Sequence, residues 1–421
     1  MTVVHITGAR PNFPKAAPVI AALRGRGVAQ QLVHTGQHYD DKLSEVFFRE
    51  LDLPRPDVNL GVGSGSHATQ TAAVMIALEE RFSAEKPSLV VVYGDVNSTL
   101  AAALVCSKIG VPLAHVEAGL RSFDVTMPEE VNRKVTDVLC DLAFVTSPEA
   151  IAHLAREGVP SDRIHLVGNP MIDTLLAHID RFDPAPVREA FGLSGAYAVA
   201  TLHRPGNVDG AEQAVALVQA MHKSADLLPI VVPLHPRGRA RLLELGFADH
   251  PGIRVVEPLG YIEFMSLVRG ATAVLTDSGG VQEETTVLGI PCLTLRPSTE
   301  RPVTISHGTN KLVRADSLPH ELQAVLDRGP LSSWPVPPLW DGRAGVRIAE
   351  VLQPWLATAE AGGAATTGPD SMAAAAASPT ADTSPRRGAA APATEAATAT
   401  DAASTASRPP GSGDAGAQTA R

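Results

Sequence analysis

Asp277-Ser278-Gly279-Gly280-Val281-Gln282-Glu283-Glu284 is the stretch from which the fold can be read. It follows the apolar run Ala271-Thr272-Ala273-Val274-Leu275-Thr276, which reads as a buried strand, and leads into Val281, Thr285 and Leu288 at helical spacing. Paired glycines between a strand and a helix let backbone come close to a ligand. The first free N–H groups of that helix, at the positive end of its dipole, suit a phosphate or diphosphate. Two glutamates one turn in can accept hydrogen bonds from a sugar hydroxyl, as acidic residues do at ribose sites. An ordinary Ser-capped helix after a tight turn would give the same pattern. The surrounding chain has to decide between them.

Outward from this stretch, short β-branched runs alternate with helical patterns. Residues 3–7, 31–34, 89–93, 111–115 and 142–146 read as strands of a first parallel sheet. Residues 197–201, 229–234, 253–256, 273–276 and 292–295 read as strands of a second. The alternation predicts doubly wound α/β architecture with right-handed crossovers. Turn formers at Gly168-Asn169-Pro170 place the hinge, giving domains over residues 1–170 and 171–341. Residues 342–357 are expected to form a helix packing back across both. From Thr358 to Arg421 there is no Leu, Ile, Val, Phe, Trp or Tyr, and a disordered Ala/Thr/Pro/Ser-rich tail is expected.

Composition narrows the function. A chain of 421 residues exceeds what one core normally serves, and 44% hydrophobic with 19% charged residues describes a globular protein. A net charge of −10 argues against nucleic acid or an anionic membrane as partner, so an anionic ligand needs a local basic cluster. Cys106, Cys140 and Cys292 lack zinc spacing and are odd in number, which fits a reducing cytoplasm. The first residues have neither the length nor the basic flank of a signal peptide, and no apolar run is long enough to span a membrane.

In open α/β sheets ligands sit beyond the carboxyl ends of the strands, and polar residues gather there. Arg10 and Lys15 follow the first strand and can supply positive charge, or be a solvated loop Arg and a surface Lys. Asp95 follows Gly94 as an acid, a base or an N-cap. Glu117 lies in an apolar stretch, where burial would raise its pKa. Glu129 and Glu130 follow Pro128 in a helix's first turn, where dipole compensation is the simpler account. Three carboxylates on one sheet's rim are harder to dismiss. In the second half His203-Arg204 and His235 end two successive strands, and Arg301 arrives late near the same rim. No Gly-x-Gly-x-x-Gly follows the first strand, and Gly61-Val62-Gly63-Ser64-Gly65 reads as a turn. Without a Walker lysine, a zincin helix or a Gly-x-Ser-x-Gly elbow, NAD chemistry, ATP hydrolysis and serine hydrolysis lose support.

The ordered set of motifs resembles the non-hydrolysing UDP-N-acetylglucosamine 2-epimerases. The matching stretches are residues 8–15, Thr35-Gly36-Gln37-His38, Gly94-Asp95, residues 115–121 and 128–133, Gly168-Asn169, His203-Arg204, and residues 277–284 and 299–302. The resemblance implies two Rossmann-like domains facing across a cleft, as in glycosyltransferase-B folds, and a cytoplasmic homodimer acting on a UDP-sugar without metal or cofactor. It implies anti elimination of UDP to 2-acetamidoglucal and re-addition with the C2 proton on the other face. Asp95, Glu117 and Glu129 would be the acid–base carboxylates, with His203 near the departing diphosphate. Arg10, Ser278, Gly279, Gly280 and Arg301 would bind UDP and Glu284 the ribose. Lys15, Arg133 and His235 would support them, with Arg133 able to steer Glu129 from one turn on. Two departures stand out. Gly206 replaces a glutamate common before the Asn of the His-Arg motif. Gln37-His38-Tyr39-Asp40 lacks the second Gln of members activated by UDP-N-acetylglucosamine at a separate site. Rival readings are a 2-epimerase of UDP-2,3-diacetamido-2,3-dideoxyglucuronate, a hydrolysing epimerase, a glycosyltransferase of the same architecture and a nucleotide-sugar sensor.

Overall fold

The computed structural model describes residues 2–36, 41–234 and 236–364. The expectations for Gln37-His38-Tyr39-Asp40, for His235 and for the tail beyond residue 364 lie outside the described residues.

Two wholly parallel sheets organise the chain. The first holds β1 (Val3–Thr7), β2 (Gln30–His34), β3 (Val58–Asn59), β4 (Leu89–Tyr93), β5 (Leu113–Ala118), β6 (Leu142–Val145) and β7 (Ile164–Leu166), in the order β3-β2-β1-β4-β5-β6-β7. The second holds β8 (Ala198–Thr201), β9 (Ile230–Pro233), β10 (Ile253–Val256), β11 (Ala273–Thr276), β12 (Cys292–Leu295) and β13 (Asn310–Val313), in the order β10-β9-β8-β11-β12-β13. Helices lie between successive strands. Sheets covered on both faces select continuous apolar runs, and every residue of β4 is fully buried.

Ten strands were expected and three were missed. β3, β7 and β13 all lie at sheet edges, where Asn59, His165 and Lys311 interrupt the apolar pattern that marks interior strands. β5 departs from its expected span as well. It begins two residues later than 111 and runs on to Ala118, through an irregularity in its pairing with β6 between Val116 and Ala118. Glu117 is therefore part of a bulged strand rather than of the loop beyond it.

The chain leaves the first sheet at Leu166 and enters the second at Ala198, passing through the helix Pro170–Ala177, whose first turn Asn169 caps. The last helix runs from Ala344 to Ala364, seven residues past the expected end at 357. Its added turns are rich in alanine, a strong helix former that an inventory of large apolar residues overlooks. This helix lies on Phe13–Arg24 and on Pro170–Ala177. Ile348, Ala349 and Leu352 join Val19, Ile20 and Leu23 in one buried cluster. Among the described residues no helix is long and apolar enough to cross a membrane.

Candidate active site

Carboxyl ends of β1, β4 and β5 form one rim of the site. Asn12 ties the first two together: its Oδ1 accepts from Gly8 N at 2.9 Å and Ala9 N at 3.0 Å, and its Nδ2 donates to Tyr93 O at 2.7 Å. Arg10 opens the short turn Arg10–Asn12, and Lys15 stands in the first turn of Phe13–Arg24. Glu117 sits at the β5 bulge with φ +73°, a left-handed conformation that costs a non-glycine residue about 1–2 kcal/mol. Lys15 Nζ donates to Glu117 Oε2, and both side chains are buried. Gly94 makes this contact possible: at φ +65°, a Cβ there would stand 3.0 Å from Lys15 Nζ and 3.1 Å from Glu117 Oε2.

The expected rise in the Glu117 pKa is corrected. Burial opposes its charge, but Lys15 and Arg301 together hold it below the ordinary glutamate value. Asp95 is paired by Arg133 Nη1, and Asn132 Nδ2 donates to the Asp95 carbonyl at 2.8 Å. Arg133 was expected to steer Glu129; it pairs instead with Asp95 and, at 2.6 Å, with Glu130. Spacing of three residues serves the helix face as well as four does. Glu130 does more than offset a dipole. It accepts from Ser122 N at 2.9 Å and from Phe123 N at 3.1 Å, holding down the loop ahead of the helix.

The opposite rim comes from β8, β11 and β12. Ser278 is the N-cap of Gly279–Leu288, yet its hydroxyl makes no capping hydrogen bond, so the ordinary Ser-capped helix is not what forms. Gly279 is required by its neighbours: a Cβ there would fall 2.4 Å from Arg301 Nη1 and 2.8 Å from Glu300 Oε1. Asp277 is fully buried, with Oδ1 2.9 Å from His203 Nδ1 and Oδ2 accepting from Arg204 N and Asn207 Nδ2, each at 3.0 Å. Despite burial, these partners hold Asp277 below the usual carboxylate range. The His203 side chain is held through Nδ1 by Asp277 and keeps 41% of its surface exposed.

Arg301 joins the two rims. It reaches Glu117 Oε1 at 2.6 Å, faces Glu283 Oε1 at 3.0 Å and pairs with Glu300. Glu300 also takes Arg296 Nη2 at 2.7 Å and lies 3.8 Å from Arg204 Nη2. Against its burial, these guanidinium groups hold Glu300 far below its ordinary value. Burial moves the next two carboxyls the other way, pushing Glu283 up to about 7 and Glu284 to about 8. Burial and neighbouring Arg296 lower the Arg204 pKa, while the charges of Glu300, Glu129 and Asp95 act on it in the opposite sense. Arg204 Nη1 also lies 3.9 Å from the sulfur of Met127, the N-cap of the helix that carries Glu129.

The structure thus gathers Lys15, Asp95, Glu117, Glu129, Arg133, His203, Ser278, Gly279 and Arg301 about one cleft. Asp277 and Glu300 had no assigned part in the sequence reading. Each adjoins a residue that did, and an acid beside a strand-end cation was the available signal.

The family model described as UDP-N-acetylglucosamine 2-epimerase matches residues 21–353. The chain is 40% identical to the UDP-N-acetylglucosamine 2-epimerase of Methanocaldococcus jannaschii, over 82% of this chain and 97% of that protein. It is also 40% identical to the UDP-2,3-diacetamido-2,3-dideoxy-D-glucuronate 2-epimerase of Pseudomonas aeruginosa, over 84% of this chain and 99% of that one. The crystal structure of the M. jannaschii UDP-GlcNAc 2-epimerase in complex with UDP-GlcNAc and UDP matches with a TM-score of 0.78 at 39% identity, covering 84% of this chain and 99% of that chain.

Proposed function

The chain belongs to the UDP-N-acetylglucosamine 2-epimerase family, and from that premise we propose that it interconverts UDP-N-acetylglucosamine and UDP-N-acetylmannosamine without a cofactor. The observation that carries the reading is the meeting of Glu117 and the helix start bearing Glu129 on one rim with Arg301, Arg204 and a glycine-opened helix end on the other.

The proton at sugar C2 is not next to a carbonyl, so deprotonation alone is too slow. One carboxylate removes that proton as the C1–O bond breaks. The bonding pair leaves with the UDP oxygen, and a C1=C2 double bond forms in 2-acetamidoglucal. UDP then re-adds at C1, and C2 takes a proton from an acid on the opposite face. Arg301, His203 and the free N–H groups at the start of Gly279–Leu288 receive the charge that develops on the departing diphosphate. Arg10 and Ser278 complete the diphosphate contacts, and Glu284 binds the ribose.

Similarity to the P. aeruginosa protein supports a second reading, the 2-epimerisation of UDP-2,3-diacetamido-2,3-dideoxyglucuronate. Arg204 and Arg296 share one carboxylate, Glu300, so the cleft has cationic charge to offer either a diphosphate or a uronate. Proton NMR of the purified protein in deuterium oxide tests both. With UDP-N-acetylglucosamine, deuterium is expected at C2 while manno signals grow. Exchange with the diacetamido-uronate alone selects the second reading, and exchange with neither overturns both.

A further inference from the structure

Asp137 lies on the helix Pro128–Leu139, is 1% exposed, and has no part in the chemistry proposed above. All three of its side-chain partners belong to β5 or the segment just after it. Oδ1 is 2.6 Å from His115 Nδ1, and Oδ2 accepts from Gly119 N at 3.0 Å and Arg121 Nη1 at 2.7 Å. Two of these partners, His115 and Gly119, stand two residues before and two after Glu117. On its far side the His115 ring reaches Gly94 O at 2.8 Å, the carbonyl just before Asp95. Glu157 closes the outer end, accepting from Arg121 Nε at 2.9 Å.

A non-glycine residue keeps a positive φ only where its surroundings overdetermine it. Glu117 does so at +73°, and a single carboxylate grips the chain on both sides of it. The His115 contacts add a second constraint. A carbonyl only accepts, so Nε2 carries hydrogen. A bare Nδ1 would then set its lone pair against a carboxylate oxygen at 2.6 Å, so a proton also lies between Nδ1 and Oδ1.

We propose that Asp137 is a positioning residue for the reaction: it clamps Glu117 into its bulged geometry from both sides and, through a His115 ring bearing hydrogen on both nitrogens, fixes the strand end that carries Asp95. Its effect on catalysis rests on the epimerase reading; its hydrogen-bond chemistry does not.

Steady-state kinetics and UDP titration of D137N test the first part. The amide keeps the size of the carboxyl but cannot accept from every donor around it. The expected result is a kcat lowered by roughly 100-fold, as for a displaced catalytic group, with KM and the Kd for UDP within about threefold of wild type. Undiminished kcat, or UDP binding lost in step with kcat, overturns the positioning role. H115Q provides a second variant, with the same split expected at smaller size. Nitrogen NMR of histidine-labelled wild-type protein, with H115Q assigning the resonance, needs no activity at all. Two protonated ring nitrogens on His115 are expected, and one bare nitrogen overturns the clamp's chemistry. A wild-type protein that shows both protonated nitrogens yet epimerises neither nucleotide sugar would defeat the epimerase reading alone.

Discussion

The two rims of the cleft are built on opposite plans. The first is made of side chains that lock one another: Lys15 on Glu117, Arg133 on Asp95 and Glu130, with Glu117 itself in a left-handed bulge. The second opens around a bare helix end, with Gly279 leaving room for Arg301 and an N-cap hydroxyl uncommitted to capping. Interlocked charge suits groups that must be aimed at a reacting carbon. Exposed backbone donors suit an anion that arrives and leaves. Arg301 bridges the two plans through its pair with Glu117.

The comparison breaks most easily at Glu117. Replacement by Gln should lower kcat by about 1,000-fold, the middle of the range for a general acid or base, while calorimetry still detects UDP. Loss of UDP binding would mean that the rims do not divide the work. Gly279→Ala strikes the other plan. Its Cβ would displace Arg301, and UDP affinity should fall by roughly 5- to 150-fold, the equivalent of the 1–3 kcal/mol that overpacking costs. An unchanged Kd would remove the helix end from the binding site.

Gly94→Ala sharpens the contrast further. It adds strain at φ +65° and crowds Lys15 and Glu117, so stability should fall by about 1–2 kcal/mol in denaturant unfolding, and kcat should suffer more than UDP binding. A last contrast is one of pH. Folding holds a proton on Glu284 up to about pH 8, whereas the unfolded chain releases it near 4.5. The folded state therefore binds the extra proton between those values, and this group makes stability fall as pH rises through that window. Glu284→Gln removes the dependence, so its melting temperature should gain on wild type from pH 5 to pH 9. Parallel curves would show that the carboxyl is already ionised.

Legibility in the sequence followed burial. The interior strands β1, β4, β11 and β12 were readable to the residue, because a run covered on both faces must be largely apolar. The edge strands β3, β7 and β13 escaped, since one side meets solvent and admits Lys, His and Asn, while the edge strand β10 was read despite its Arg254. The cleft's residues were legible as types at strand ends, but their pairings were not. Arg133 was read against Glu129 on its own helix, and only the approach of the β4 end to the helix Pro128–Leu139 gives it Asp95. The fall in the Glu117 pKa was invisible for a related reason. Burial shows in the local sequence, whereas the two cations that outweigh it come from Lys15 and Arg301, at the far ends of the fold.

The docking of Ala344–Ala364 on Phe13–Arg24 has a consequence for biosynthesis. The buried cluster around Val19, Ile20 and Leu23 is completed by Ile348, Ala349 and Leu352, some three hundred residues later. During translation the first sheet can assemble, but that helix must wait for its cover until nearly the whole described chain has left the ribosome. A nascent chain stopped after the second sheet would carry an open apolar face at its start, which makes premature termination here a hazard for aggregation as well as for activity.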